Sequence, residues 1–145
     1  MICNITRNTT IAATPCQARS WWMRTRGMIG RDFADTGFDA MVFEKCSSLH
    51  SCFMTGTLDV IFIDRNSKVV KTAPGFRPWQ LLFGGKDAVT AIELPQGQIA
   101  ATQTQTGDII DLTMIKEQQS PDGIISDKSQ THAPVQQMTE QHLNQ

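Results

Sequence analysis

The run Val60-Ile61-Phe62-Ile63, closed by the turn former Asp64, constrains the fold of this chain more than any other stretch. Four consecutive apolar residues, rich in β-branched types, predict a short strand covered on both faces. Such a strand is expected at the centre of a sheet. Directly before it stands a polar, thiol-bearing approach, Cys46, Ser47, Ser48, His50, Ser51 and Cys52, which holds the only histidine outside the C-terminal tail. These residues are expected at the rim of the sheet, where side chains meet solvent or a ligand. The stretch therefore locates a candidate site without naming a reaction.

The remaining elements follow from turn and cap signals. Ile2 to Ala13 mixes apolar, Thr and Asn positions and suits an edge strand. Thr14-Pro15 opens a predicted helix, with threonine as cap and proline in the first turn, where its missing N–H costs nothing. That helix is expected to run through Trp21, Trp22 and Met23, one ring inward and one at the surface, and to stop at Gly27 after Arg24 and Arg26. Strands are expected at Ala40 to Phe43, near His50 to Met54, from Leu58 and at Lys68 to Thr72. The turn Asp64-Arg65-Asn66-Ser67 joins the last two as antiparallel neighbours. Pro74 to Gly85 reads as a long irregular connection, the length class from which functional loops are drawn. Further strands are predicted at Ala88 to Leu94, Ile99 to Gln103 and Ile109 to Ile115. Seven or so short strands with one helix describe a mainly β domain, a compact antiparallel sandwich or barrel-like fold.

The chain has 145 residues and a formal charge of -1, so one domain is expected, spanning 1–115. From Lys116 onward seven glutamines stand among Ser, Pro, Thr and Asp with few large apolar residues. Residues 116–145 are therefore expected to be a disordered polar tail, since burial cannot offset their ordering entropy. The first 31 residues carry five arginines and no acid. That composition also marks transit peptides, but the apparent helix with a clear start and stop favours a place inside the domain. No apolar run approaches the roughly 20 residues of a membrane helix, and no secretory core is present. A soluble, cytoplasmic monomer is the expectation, with four cysteines as reduced thiols.

Several short pieces, taken in order, resemble one family. Ala13-Thr14 is followed by Ala18-Arg19 and by Arg26-Gly27-Met28-Ile29-Gly30-Arg31. Then come Ala40-Met41-Val42-Phe43, His50-Ser51 and Leu58-Asp59-Val60-Ile61-Phe62-Ile63-Asp64. Arg77-Pro78-Trp79, Ile92-Glu93-Leu94-Pro95-Gln96-Gly97 and Gly107-Asp108 complete the set. In these pieces, over residues 13–31 and 40–113, the chain resembles the domain-of-unknown-function 192 family, uncharacterised and widespread in prokaryotes. The resemblance implies a compact β domain with one helix and no particular activity. Gly56-Thr57 stands where the family usually has a proline, and Ala40 where it has a glycine.

The candidate ligand-binding residues are His50, Cys46, Cys52, Asp59, Arg77 and Trp79. Cys46, His50 and Cys52 offer soft ligands, but C-x3-H-x-C lacks a fourth member, so neither metal nor other cofactor is expected. A nucleophilic thiol needs a base and an orienting carboxylate, which His50 and Asp59 could supply to Cys46 or Cys52. Against this, buried cysteines commonly serve as small apolar fillers. Asp59 equally suits a strand-end acceptor of hydrogen bonds, and Glu93 a solvated or arginine-paired carboxylate. Arg77 beside Trp79 suits carboxylate, phosphate or sugar recognition, or a loop pinned by a buried indole. The arginines of 19–31 lack interleaved exposed aromatics, so no nucleic-acid partner is expected, nor a membrane. Two classes stay open: a non-catalytic module binding a small polar ligand or protein segment, and a small thiol- or His-dependent hydrolytic enzyme. A catalyst requires sulfur and imidazole near hydrogen-bond distance above a cleft.

Overall fold

The computed structural model describes residues 1–26, 28 and 33–112. The expected tail 116–145 lies outside the described residues, as do most of Arg26 to Arg31 and the Trp21 and Trp22 side chains. The chain begins with β1 (Ile2–Asn4), β2 (Thr9–Ala12) and β3 (Pro15–Gln17), then α1 (Trp21–Arg26), α2 (Phe33–Thr36), β4 (Ala40–Glu44) and β5 (Ser48–His50). It continues with β6 (Leu58–Ile63), β7 (Val69–Phe76), β8 (Leu81–Phe83), β9 (Thr90–Pro95), α3 (Gln98–Ala101) and β10 (Ile110–Asp111).

A five-stranded sheet, ordered β3-β4-β9-β6-β7, forms the middle of the molecule. Every residue of β6 is buried, as its unbroken apolar run requires, and it lies inside the sheet between β9 and β7. The pleat sends alternate side chains to opposite faces, and each face carries its own core. On one face Val42, Ile61, Ile63, Ile92 and Leu94 pack with Ile2, Ile11 and Ile110 of the three-stranded sheet β10-β1-β2. On the other, Met41, Phe43, Val60 and Phe62 pack with Leu49 of β5, partly buried Leu82 of β8, and Met28 and Met54. The short β5-β8 sheet thus helps cover the second core. The architecture is mainly β with several sheets and no closed barrel among the described residues.

Five expectations need correction. Pro74 to Gly85 is not irregular throughout, since it carries the end of β7 and the whole of β8, which pairs with β5. Residues 15–17 form a strand, not the start of a helix, because Pro15 to Gln17 pair in parallel with Ala40 to Val42. Edge pairing gives those main-chain groups partners that an isolated turn would lack, and it makes the central sheet mixed rather than purely antiparallel. A single N-terminal helix is not what forms; among the described residues there are three short helical segments. Ile2 to Ala13 folds as a hairpin, β1 and β2, since Asn8 takes a left-handed φ of 54° between them. Gln98–Ala101 is helical, not a strand. Its first turn is capped from outside, by Asp59 of β6, whose Oδ2 accepts from the N–H groups of Gly97 and Ile99 at 3.1 and 2.9 Å.

The core is packed closely enough to exclude a methyl group at Gly84, where an added Cβ would lie 2.4 Å from the Phe62 ring and 2.6 Å from Ala88. Gly84→Ala is therefore expected to cost about 2 kcal/mol or more through overpacking, read as a lowered urea midpoint at unchanged slope.

Candidate functional site

Glu93 interrupts the apolar strand Thr90–Pro95, and alternation decides where its side chain goes. It falls on the same face as Ala91, opposite to Ile92 and Leu94, and its cross-strand neighbours are Met41 and Val60. The carboxyl is thereby embedded among hydrocarbon groups and is only 3% exposed. Its Oε2 has no hydrogen-bond partner among the described residues. Loss of hydration penalises the anion, and burial pushes the pKa up to about 8. Glu93 is consequently a neutral acid at pH 7, with one O–H donor and spare acceptor capacity. Among the described residues the carboxyl is neither solvated nor paired with an arginine, contrary to the expectation from sequence.

Glu93 lines a recess of about 90 Å³, the space of roughly three water molecules. Phe43, Leu49, Met28 and Met54 supply apolar walls, and Arg24, Arg26, Cys46, Ser48 and His50 supply the polar lining. Local backbone explains the arrangement. Lys45 adopts φ 52°, which turns the chain sharply out of β4, and the Cys46 N–H then donates to the Val89 carbonyl at 2.9 Å. Arg24, in the last turn of α1, is fastened over that bend, its Nη1 donating to the Glu44 carbonyl at 2.7 Å.

The Cys46 thiol donates to the Ser48 carbonyl at 3.1 Å. Its pKa is raised, foremost by burial, against the lowering effects of the Ser48 bond and the Arg24 charge. The thiolate is the nucleophile, so this environment disfavours nucleophilic chemistry at neutral pH. Among the described residues no hydrogen bond joins His50 to either Cys46 or Cys52, and no three His, Cys, Asp or Glu side chains group as metal ligands.

Asp59, Arg77, Trp79 and Cys52 do not converge on this recess. Asp59 is 1% exposed on the opposite face of the central sheet, where it accepts from Gly75, Gly97 and Ile99 N–H groups. Its role is to hold the main chain, which removes it from the proposed pocket. Arg77 and Trp79 stand beyond the far end of β8, and Trp79 is exposed, not a buried pin for its loop. Cys52 is half-buried in the turn after β5. His50 lines the recess and is exposed. Replacing it leaves no cavity, so His50→Ala is expected to change stability by under about 1 kcal/mol in urea unfolding; a loss above about 2 kcal/mol would make it a core residue.

Sequence reasoning passed over Glu93 as a site residue. The signal was present, since a single acid within Ala91-Ile92-Glu93-Leu94 must share an inward face once the strand is buried on both sides. Arg24 and Arg26 gave no such signal, because their approach to Cys46 depends on where α1 packs.

Comparison with known proteins gives a consistent picture of fold. The family model DUF192, described as Uncharacterized ACR, matches residues 4–112. UPF0127 protein TK1120 of Thermococcus kodakarensis is 36% identical over 75 residues, covering 50% of this chain and 46% of the relative. UPF0127 protein PF1050 of Pyrococcus furiosus is 34% identical over 62 residues, covering 43% and 53%. The chain thus spans about half the length of the curated relatives it matches. A crystal structure of a protein of unknown function from Novosphingobium aromaticivorans superposes with TM-score 0.58 at 19% identity, covering 67% of this chain and 73% of that one. A Sinorhizobium meliloti protein, described as a candidate transcription regulator, superposes with TM-score 0.64 at 16% identity, covering 76% and 88%. At these identities the two structures share the fold alone.

Proposed function

Because the chain belongs to the DUF192 family, whose description assigns no reaction, we propose from its geometry that it is a binding module whose recess takes a small polar end group, a carboxylate or carboxamide. The observation that carries this reading is Glu93, which lines the recess and whose buried Oε2 has no hydrogen-bond partner among the described residues. A neutral carboxyl donates its O–H to a carboxylate, and with a carboxamide it both donates and accepts. Arg24 and Arg26 in the lining favour the anionic member of that pair. The volume of about 90 Å³ admits an end group and not a whole metabolite, so a larger ligand or a protein segment would enter by its tip. The hydrolytic alternative is weakened by the raised pKa of the Cys46 thiol and its bond to Ser48.

The test is a titration of amide chemical shifts with acetate, acetamide and methylammonium as probes. Acetate and acetamide are expected to shift residues 43–50 and the neighbours of Glu93, while methylammonium leaves them unmoved. Arg24→Ala should weaken acetate by about tenfold. If neither acetate nor acetamide moves those residues, or if methylammonium moves them equally, the reading is wrong.

A further inference from the structure

The outer face of β5 and β8 carries apolar side chains that the folded domain does not use. Phe53, Trp79, Leu81 and Phe83 are 66%, 64%, 70% and 63% exposed. They belong to one strip. The register pairs Ser48 with Phe83 and His50 with Leu81, so Leu81 and Phe83 share the outward face while Leu49 and Leu82 point to the core. Beyond Leu81 the strip continues in Trp79, whose ring meets that of Phe53 edge-on at 4.6 Å.

The strip is held in place by a specific device. Phe53 and Trp79 both take left-handed backbone conformations, φ 64° and 62°, which bulky residues seldom adopt. Buried Ser51 fastens the two strained turns to each other. Its Oγ donates to the Arg77 carbonyl at 2.6 Å and accepts from the Gln80 N–H at 2.9 Å, and its carbonyl accepts from the Trp79 N–H at 3.0 Å. Main-chain strain on this scale persists only where surrounding contacts enforce it, and here it thrusts two aromatic rings into solvent.

The same sheet has an open edge. Ladder hydrogen bonds join Ser51 to Gln80 and Gly84 to Ser47. In an antiparallel ladder bonded pairs alternate, so the main-chain groups of Leu81 and Phe83 point away from β5. Among the described residues no strand pairs with β8 on that side. The Phe83 carbonyl instead accepts from Lys71 Nζ at 2.7 Å. The surrounding charge has one sign: residues 65–86 contain Arg65, Lys68, Lys71, Arg77 and Lys86 and no acid, and residues 45–58 contain none either.

We infer that β8 is a docking edge for an extended, acidic protein segment, which adds as a third strand to the β5-β8 sheet and lays alternate apolar side chains against Leu81, Phe83 and the Phe53–Trp79 pair. Strand addition supplies donors and acceptors to the outward main chain of β8, and the open edge with apolar anchors is its structural requirement. A lipid surface leaves those main-chain groups unsatisfied in hydrocarbon. Single-stranded nucleic acid stacks on aromatic faces but offers no strand to pair with the outward main chain of β8. A second copy would set one basic strip against another. Acidic residues in the partner would pair with Lys71 and Arg77.

The experiment is fluorescence anisotropy of the full chain with a labelled peptide of about nine residues alternating glutamate and valine, within the usual range of strand lengths. Its comparators replace glutamate with lysine, or regroup the same residues in blocks. The alternating acidic peptide is expected to bind at least about tenfold tighter than either comparator, and binding should weaken as salt is raised. Leu81→Lys combined with Phe83→Lys, at positions exposed enough to leave folding intact by circular dichroism, should abolish binding. Absence of binding at about 1 mM peptide, equal binding of the lysine peptide, or full binding by the double variant overturns the inference. So does a wild-type dimer that the double variant dissociates, or stronger binding to phosphatidylserine vesicles than to the acidic peptide. Because the recess is not used, acetate titration can succeed or fail independently of this result.

Discussion

Asp59→Ala should lower the unfolding free energy by about 4 kcal/mol, among the largest losses for any single side chain in this domain. The carboxylate accepts three main-chain hydrogen bonds, from Gly75 at 2.9 Å, Gly97 at 3.1 Å and Ile99 at 2.9 Å. Each joins β6 to a different part of the chain: the irregular end of β7, the turn after β9, and the first turn of α3. Truncation strands three donors in or near the core, at a penalty of about 1 to 3 kcal/mol for each that water cannot reach. Gly97 and Gly75, both at positive φ, provide no side chain that could take over. Urea unfolding of the full chain is the measurement. A loss under about 1 kcal/mol would mean the three donors find other partners, and it would return Asp59 to the set of dispensable polar residues.

Glu93→Gln should abolish a pH dependence of stability that the wild-type protein carries. The folded pKa is raised from 4.5 to about 8, so the native state holds a proton that the unfolded chain releases between those values. Folding is therefore favoured fully below about pH 4.5, and this stability is lost as pH rises toward 8. At 1.36 kcal/mol per unit the whole change is about 4 to 5 kcal/mol. Glutamine has no proton to lose. The variant should match the wild type within about 1 kcal/mol at pH 5 and exceed its stability by several kcal/mol above pH 8. Parallel stability curves would show that Glu93 is ionised in the fold, and the neutral donor at the recess floor would go with it. At pH 7 the buried acid is a burden of about 3 kcal/mol that a leucine would not impose, and such a burden is characteristic of a residue kept for function. Acetate binding should accordingly weaken above pH 8 as the proton is lost.

The local pattern of the chain was sufficient for much of the sheet. β6 was legible because four apolar residues in a row leave no solvent face, and β7 because Asp64 to Ser67 can only turn. Both depend on neighbours within a few positions. The stretch 15–17 misled for the opposite reason. A Thr-Pro start is a sound helix signal, but parallel pairing with β4, about 25 residues away, satisfied the same main-chain groups better. Ile99 was read as a strand residue for want of Asp59, which caps that helix from β6.

For the site, sequence by itself determined that Cys46 and His50 stand close before an apolar strand. The inward face of Glu93 was implicit in its apolar neighbours, but the residue suited a solvated or arginine-paired carboxylate equally well until the strand was seen to be covered on both sides. Only the tertiary structure decided that these three share a recess with Arg24 and Arg26, and that Asp59 points to the other core. It also decided that Trp79 is thrust outward against Phe53 rather than buried. The physical reason is the same in each case: alternation fixes which face a side chain takes, but which face meets solvent depends on what packs there. In this chain that is settled by α1 and the β5-β8 sheet, whose placements rest on long-range contacts and strained turns that no local pattern records.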